Sequence, residues 1–380
     1  MEMNEGTVEL YLQAGGDKMG RYLNQGNENF QKSVNSEIYI DKTGLIEYTN
    51  RVINTLQGYV CISRPRRFGK SMAANMLTAY YSRGCDSREL FNEFEISKST
   101  DFEKYRNKYN TISLNMQEFL SRSNNIDELI DRVKKLVFRD IKKEYPEVDY
   151  FDDTDLIESI QDVYEEKKCP FIVIIDEWDC IFREFRQDKE AQEKYLDFLR
   201  DLLKDKACIH LAYLTGILPI KKYGTHSALN MFDEFSMLNP GPLASYVGFT
   251  EEEVKTLCIQ YKMDIEEVKT WYDGYSFPSE PSIYSPRSVV NSMLFGKIEN
   301  YWNQTETFEA LQAYIDMNFE GLKDDVLSMI AGESVPVNTG SFTNDMTTFR
   351  TEDDVLTLLI HLGYLAYDSD NKTVKIPNNE

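Results

Sequence analysis

The run Val60-Cys61-Ile62-Ser63-Arg64-Pro65-Arg66-Arg67-Phe68-Gly69-Lys70-Ser71 joins a short apolar strand to a turn, and a helix-like stretch follows from Met72 to Tyr81. A strand that ends in Gly-Lys-Ser and passes straight into a helix is the arrangement of a phosphate-wrapping loop. Gly69 lets the backbone turn closely around an anion, and Lys70 reaches the β- and γ-phosphates of a nucleotide. The Ser71 hydroxyl suits Mg²⁺, and the helix N-terminus presents free N–H groups to the phosphates. The full pattern G-x-x-x-x-G-K-[ST] asks for glycine where this chain has Arg64, so only its second half is intact. Candidate nucleotide contacts run from Arg64 and Pro65 through Arg66, Arg67, Phe68, Gly69, Lys70 and Ser71 to Met72. A lone Gly-Lys-Ser is weak evidence, so the case rests on its context and on a second motif.

The second motif is Pro170-Phe171-Ile172-Val173-Ile174-Ile175-Asp176-Glu177. An uninterrupted apolar run ending in acids reads as a parallel strand buried on both faces that delivers carboxylates to its C-terminal edge. Asp176 is the candidate to hold Mg²⁺ with Ser71, and Glu177 is placed to polarise an attacking water. Thr215 ends a further strand, Ile209 to Gly216, as a candidate polar sensor of the γ-phosphate. Glu177, Lys70 and Thr215 are thus the candidate catalytic residues. Arg64, Arg66 and Arg67 read either as extra charge on the phosphates or as solvated cations.

Strands at 58–63, 111–116, 170–177 and 209–216, with a shorter one near 235–238, alternate with helical segments at 126–143, 154–167 and 190–204. That alternation predicts an α/β fold: a P-loop NTPase core with a parallel sheet and helices on both faces. Ile38 onward reads as a short strand, with Asp41-Lys42-Thr43 opening a helix and Asp41 or Thr43 as its N-cap. Beyond Tyr246 the chain turns mainly helical, and Thr250 with Glu253 forms a capping box. A Pro/Ser-rich stretch, Pro278 to Pro286, reads as a hinge. The last thirty residues read as helix, strand, polar turn and strand, which is winged-helix-like. The expected division is a flexible leader over 1–18, an ATPase core over 19–246, a helical subdomain over 247–280 and a C-terminal unit over 281–380.

Composition narrows the function classes. With 42 basic and 64 acidic residues the net charge is −22, which disfavours broad binding to nucleic acid or anionic membrane. Residues 350–380 carry Arg350, Lys372 and Lys375 against Glu352, Asp353, Asp354, Asp368, Asp370 and Glu380, a poor phosphate-reading wing. The six cysteines are scattered without a C-x-x-C pair and read as reduced thiols. Three separated histidines do not make a zinc site. The longest apolar stretch, Ile209 to Ile220, is too short to span a bilayer. A soluble, cytoplasmic protein is expected.

Taken together, Tyr39-Ile40-Asp41-Lys42-Thr43, the 64–71 loop, Ile174 to Asp179, Leu214-Thr215-Gly216, Trp271 to Phe277 and Tyr284 to Asn291 resemble the bacterial AAA-ATPase-like family. Members are P-loop ATPases often followed by a PD-(D/E)XK-type nuclease domain. The resemblance implies that Arg64 is the family's own form of the loop. It implies Lys70 and Ser71 as phosphate and Mg²⁺ contacts, and Asp176 and Glu177 as the Walker B pair. Asp41, Lys42 and Thr43 become pocket residues without assigned chemistry. Trp178 stands where tyrosine is more frequent. Arg287 stands where tryptophan is frequent, and reads as a second nucleotide sensor or as a surface arginine. No nuclease acid set follows residue 330, so nuclease activity is not expected of these residues.

The leading expectation is a Mg²⁺-dependent, slowly hydrolysing ATPase that acts as a nucleotide-controlled switch for a protein partner. A non-hydrolysing nucleotide-binding scaffold and a DNA-acting regulator using the winged-helix-like end are the competing readings.

Overall fold

The computed structural model describes residues 20–220, 229–302, 319, 321–343 and 349–380; the expected leader over 1–18 lies outside them. The core is a sheet of β1 (Tyr59–Ser63), β2 (Asn110–Asn115), β3 (Phe171–Asp176), β4 (Ile209–Gly216) and β5 (Asp233–Phe235) in the order β2-β3-β4-β1-β5. All four pairings are parallel, which requires a crossover between successive strands. Every residue of β3 is buried, the reason its sequence is an unbroken apolar run.

The core helices are α1 (Gly44–Val52), α2 (Lys70–Tyr81), α3 (Ile126–Glu144), α4 (Leu156–Lys167), α5 (Cys180–Glu184) and α6 (Lys189–Leu203). Helix α3 shows why such segments fold. Ile126, Leu129, Val133, Val137 and Ile141 recur at helical spacing and are buried, while the Asn125 side chain caps the start by accepting the Glu128 N–H.

Register brings the chemistry to one edge. Asn115 lies opposite Asp176, Asp176 opposite Thr215, and Ser63 opposite Gly216. Strand β4 therefore sits between the loop strand and the strand that bears the two acids.

A second unit follows: β6 (Phe249–Thr250), α7 (Glu251–Tyr261), α8 (Ile265–Tyr272), β7 (Tyr275–Phe277), β8 (Glu280–Tyr284) and α9 (Pro286–Phe295). The expected capping box is present at the start of α7, with both Thr250 and Glu253 side chains bonded. Val254, Leu257, Val268, Tyr272, Tyr284 and Val289 form a separate core, which Ile38 of the amino-terminal segment joins. Ile38 to Ile40 has no ladder partner and is not the expected strand. The Pro/Ser-rich stretch is likewise no hinge: it holds the turn and second strand of the β7–β8 hairpin, in a sheet ordered β6-β8-β7.

The chain closes with α10 (Glu352–Leu362) beside an antiparallel sheet of β9 (Val335–Pro336), β10 (Ala366–Asp368) and β11 (Thr373–Lys375), ordered β10-β11-β9. All six cysteines are free thiols. Among the described residues no helix is long and apolar enough to cross a membrane.

Candidate functional site

Between β1 and α2 the loop takes two left-handed residues, Arg67 at φ 68° and Gly69 at φ 93°. A Cβ on Gly69 would meet nothing within 4 Å, so its requirement for glycine is conformational and the space beyond it is open. Lys70 is buried, and its ammonium curls back to donate to the Pro65 carbonyl at 2.8 Å. Burial pushes the Lys70 pKa down, while the carboxylates of Glu177, Asp179 and Asp176 act against that shift.

Asp176 closes β3 and is also buried. Burial, aided by the charge of Glu177, pushes its pKa up to about 6, while a hydrogen bond with Ser71 pulls the other way. Its two oxygens are oriented by neighbours: the Glu177 N–H donates to one at 3.0 Å and the Asn115 amide to the other at 3.2 Å. Glu177 sits at φ 54°, a left-handed turn that swings its side chain off the strand. There the Arg183 guanidinium of α5 ion-pairs with it.

Lys70, Ser71, Glu177 and Arg183 face a cleft of about 1300 Å³ between the sheet edge and the second unit, and Asp176 is tied to its wall through Ser71 and Asn115. Arg66, Arg67, Phe68, Gly69, Lys70, Ser71, Met72, Asn115, Glu177 and Arg183 line it from the core side; Gly248, Phe249, Pro286, Arg287 and Val290 line it from the other. Arg287 is exposed in the first turn of α9, near enough to Arg67 that its charge adds to burial in holding the Arg67 pKa down. Arg67 also donates to the Tyr301 carbonyl at 3.1 Å.

Two of the expected contacts lie elsewhere. Arg64 is fully buried behind the loop, where it donates to the Ser63 and Phe235 carbonyls at 2.9 and 3.0 Å. Its guanidinium packs 5.3 Å from the Phe277 ring centroid, and burial lowers its pKa to about 10. It faces the protein interior and not the cleft, which corrects its reading as a nucleotide contact. Pro65 is also buried and outside the cleft wall, with its ring close to Gly363, where an added Cβ would stand 2.7 Å away. Thr215 is buried with an unpartnered hydroxyl, beside Asp176 in register but absent from the cleft wall.

The Asp41-Lys42-Thr43 triplet is a clamp. Asp41 accepts the Thr43 and Glu95 N–H groups, both at 2.8 Å, and the Thr43 hydroxyl accepts the Ile96 N–H. Thr43 occupies the N-cap position of α1 without capping it. Lys42 borders the cleft and binds Glu253 of the capping box. In Trp271 to Tyr275 the aromatics are packing groups: the Tyr275 ring stands 5.4 Å from that of Phe68, and its hydroxyl donates to the Gly363 carbonyl at 2.6 Å.

The model of the predicted AAA-ATPase family matches residues 25–225, the stretch that contains this loop, both acids and strands β1 to β4. The chain belongs to that family. A protein of Azotobacter chroococcum mcd 1, "Uncharacterized protein in vnfD 5'region", is 25% identical over 285 residues, 71% of this chain and 51% of the relative. The chain thus spans about half the length of that curated relative. Solved structures with a distant likeness include the Aeropyrum pernix ORC2 protein in ADPNP-ADP complexes (13% identity, TM-score 0.37, 90% of this chain and 92% of that one). Cdc6p from Pyrobaculum aerophilum has 8% identity and a TM-score of 0.32 over 91% of this chain and 94% of its own. C. elegans PCH-2 has 14% identity and a TM-score of 0.30, over 64% and 53%.

In this AAA-ATPase-family chain two cleft residues had no sequence signal strong enough to single them out. Asn115 ends β2 and orients Asp176; its only mark was its place after an apolar strand. Arg183 lies six residues past Glu177, and the turn at Glu177 brings the two together.

Proposed function

We propose that the chain is a Mg²⁺-dependent ATPase of slow turnover whose nucleotide state acts as a switch. The observation that carries this reading is the convergence of Lys70, Ser71 and Glu177 on one cleft, with Asp176 hydrogen-bonded to Ser71 at the same edge of the sheet. Lys70 and the N–H groups at the start of α2 bind the β- and γ-phosphates. Ser71 and Asp176 offer few, hard oxygen donors, a set that suits an ion which keeps waters and phosphate oxygens as its other ligands. Among the described residues no cluster of three or more His, Cys, Asp or Glu side chains offers an all-protein cage. Bound there, Mg²⁺ would offset the charge that builds on the phosphate oxygens.

Glu177 accepts the proton of a water attacking the γ-phosphorus. Its ion pair with Arg183 keeps it from doing so freely, which accords with slow turnover. Because the cleft lies between the core and the second unit, its occupant is held by both, and ATP and ADP set different relative positions of the second unit. A protein partner in the cytoplasm would read that difference.

Phosphate release under Mg²⁺ and ATP tests the reading. Wild type is expected to release phosphate slowly, and Glu177→Gln to lose release while still binding ATP. Release that survives Glu177→Gln unchanged would remove Glu177 from its role.

A further inference from the structure

Arg183 is held in a way that a surface ion pair does not require. Its side chain is 10% exposed and it meets two acids: Glu177, and Asp179 with Nε 3.3 Å from Oδ2. Asp179 is itself fully buried and anchored, for the same Oδ2 accepts the Ile217 and Leu218 N–H groups at 3.1 and 2.9 Å. Its other oxygen stands where a side chain at position 216 would project: a Cβ on Gly216 would lie 2.6 Å from Oδ1. Glycine at the end of β4 is therefore what admits the Asp179 carboxylate. The chain has built a support for one guanidinium and aimed its far end at Glu177 in the cleft wall that Lys70 shares.

A guanidinium paired to the general base works against hydrolysis if it stays there, because it stabilises the carboxylate that must take a proton. Its planar fork also suits phosphate oxygens. Resting on the ATPase reading above, we infer that Arg183 is this chain's own arginine for the transferring phosphoryl group. It holds Glu177 while the cleft lacks a triphosphate and turns to the γ-phosphate when one binds. Asp179 stays beside Nε as the guanidinium turns, and Glu177 is released as base. In the step itself a water oxygen bonds to the γ-phosphorus as the bond to the β,γ-bridging oxygen breaks. The water's proton passes to Glu177, and ADP and inorganic phosphate leave. Arg183 offsets the charge on the equatorial oxygens, the role of an arginine supplied within the same chain.

The test is ATP turnover and ATP affinity of the full chain with Arg183→Ala and Arg183→Lys. Arg183→Ala is expected to lower turnover by about a thousandfold or more, within the range such arginines supply, with ATP affinity changed by less than about threefold. Guanidinium ion added to that variant restores part of the rate, which a purely structural arginine would not allow. Arg183→Lys keeps the charge beside Asp179 but loses the fork, and is expected to fall between the two. Turnover of Arg183→Ala at or above wild type would make the arginine a lock alone and overturn the inference. Should the alanine variant fail to fold, Arg183→Lys with wild-type turnover overturns it as well. Wild type that binds ATP but shows an arginine-independent rate refutes this inference only; wild type that binds no ATP refutes the ATPase reading and this inference with it.

Discussion

The Lys42 ammonium stands 2.6 Å from each carboxylate oxygen of Glu253, joining the segment before α1 to the first turn of α7. The same Glu253 completes the α7 capping box through the Thr250 N–H at 2.8 Å, and Lys42 also donates to the Ser245 carbonyl at 2.7 Å. One carboxylate thus serves as helix cap and as tie between the two units.

Breaking that tie leaves a poorly hydrated charge, since the Lys42 and Glu253 side chains are only 13% and 24% exposed. Glu253→Gln is expected to cost about 2 kcal/mol of stability, less than the ~3–5 kcal/mol of a fully buried pair because both side chains keep some exposure. Lys42→Met with Glu253→Gln should cost less than the sum of the two single changes. Urea unfolding of the three variants measures it.

Gly363 is far from the loop in sequence yet touches it. Its φ is 88°, and an added Cβ would stand 2.7 Å from the Pro65 ring. Pro65 in turn gives its carbonyl to Lys70. Gly363→Ala should lower stability by about 1–3 kcal/mol through strain and overpacking. It should also weaken ATP binding, although the residue is outside the cleft; isothermal titration checks the second effect.

Arg64 offers the opposite contrast. Because its side chain lies behind the loop, Arg64→Met should leave ATP affinity within about threefold of wild type. Arg66→Ala and Arg67→Ala, in the cleft wall, should weaken it.

Acid should loosen the C-terminal unit through His361. This residue of α10 is buried, and burial with the nearby Arg64 charge drives its pKa down to about 3. The unfolded chain binds the proton near pH 6.5 and the folded chain does not. Stability is therefore full above about pH 6.5 and falls as pH drops through the window toward 3. Between about pH 6.5 and 5 the loss from this one group is about 2 kcal/mol. His361→Phe, which keeps a ring stacked on Phe342, should flatten that part of the profile in pH-dependent urea unfolding.

What could be read in the sequence was local. Lys70, Ser71, Asp176 and Glu177 announce themselves because a strand end and a helix start each need particular residues, and the parallel sheet follows from apolar runs spaced by helices. The Thr250–Glu253 box spans three residues and was legible for the same reason. Contacts made across the fold were not legible. Arg64 looked like its neighbours Arg66 and Arg67, because a run of cations does not say which one turns inward to Phe277. Pro278 to Pro286 had the composition of a linker, and only pairing with Tyr275 and Phe277 makes it part of a hairpin. Lys42 and Glu253 are 211 residues apart. Arg183 needed the left-handed turn at Glu177, which no residue type advertises.

The most direct test of the central claim is thermal unfolding of wild type and Lys70→Ala with and without millimolar ATP and Mg²⁺. A ligand that binds only the folded chain raises its melting temperature. The account predicts a rise for wild type and none for Lys70→Ala. No nucleotide-dependent rise in wild type, with either ATP or ADP, would contradict it.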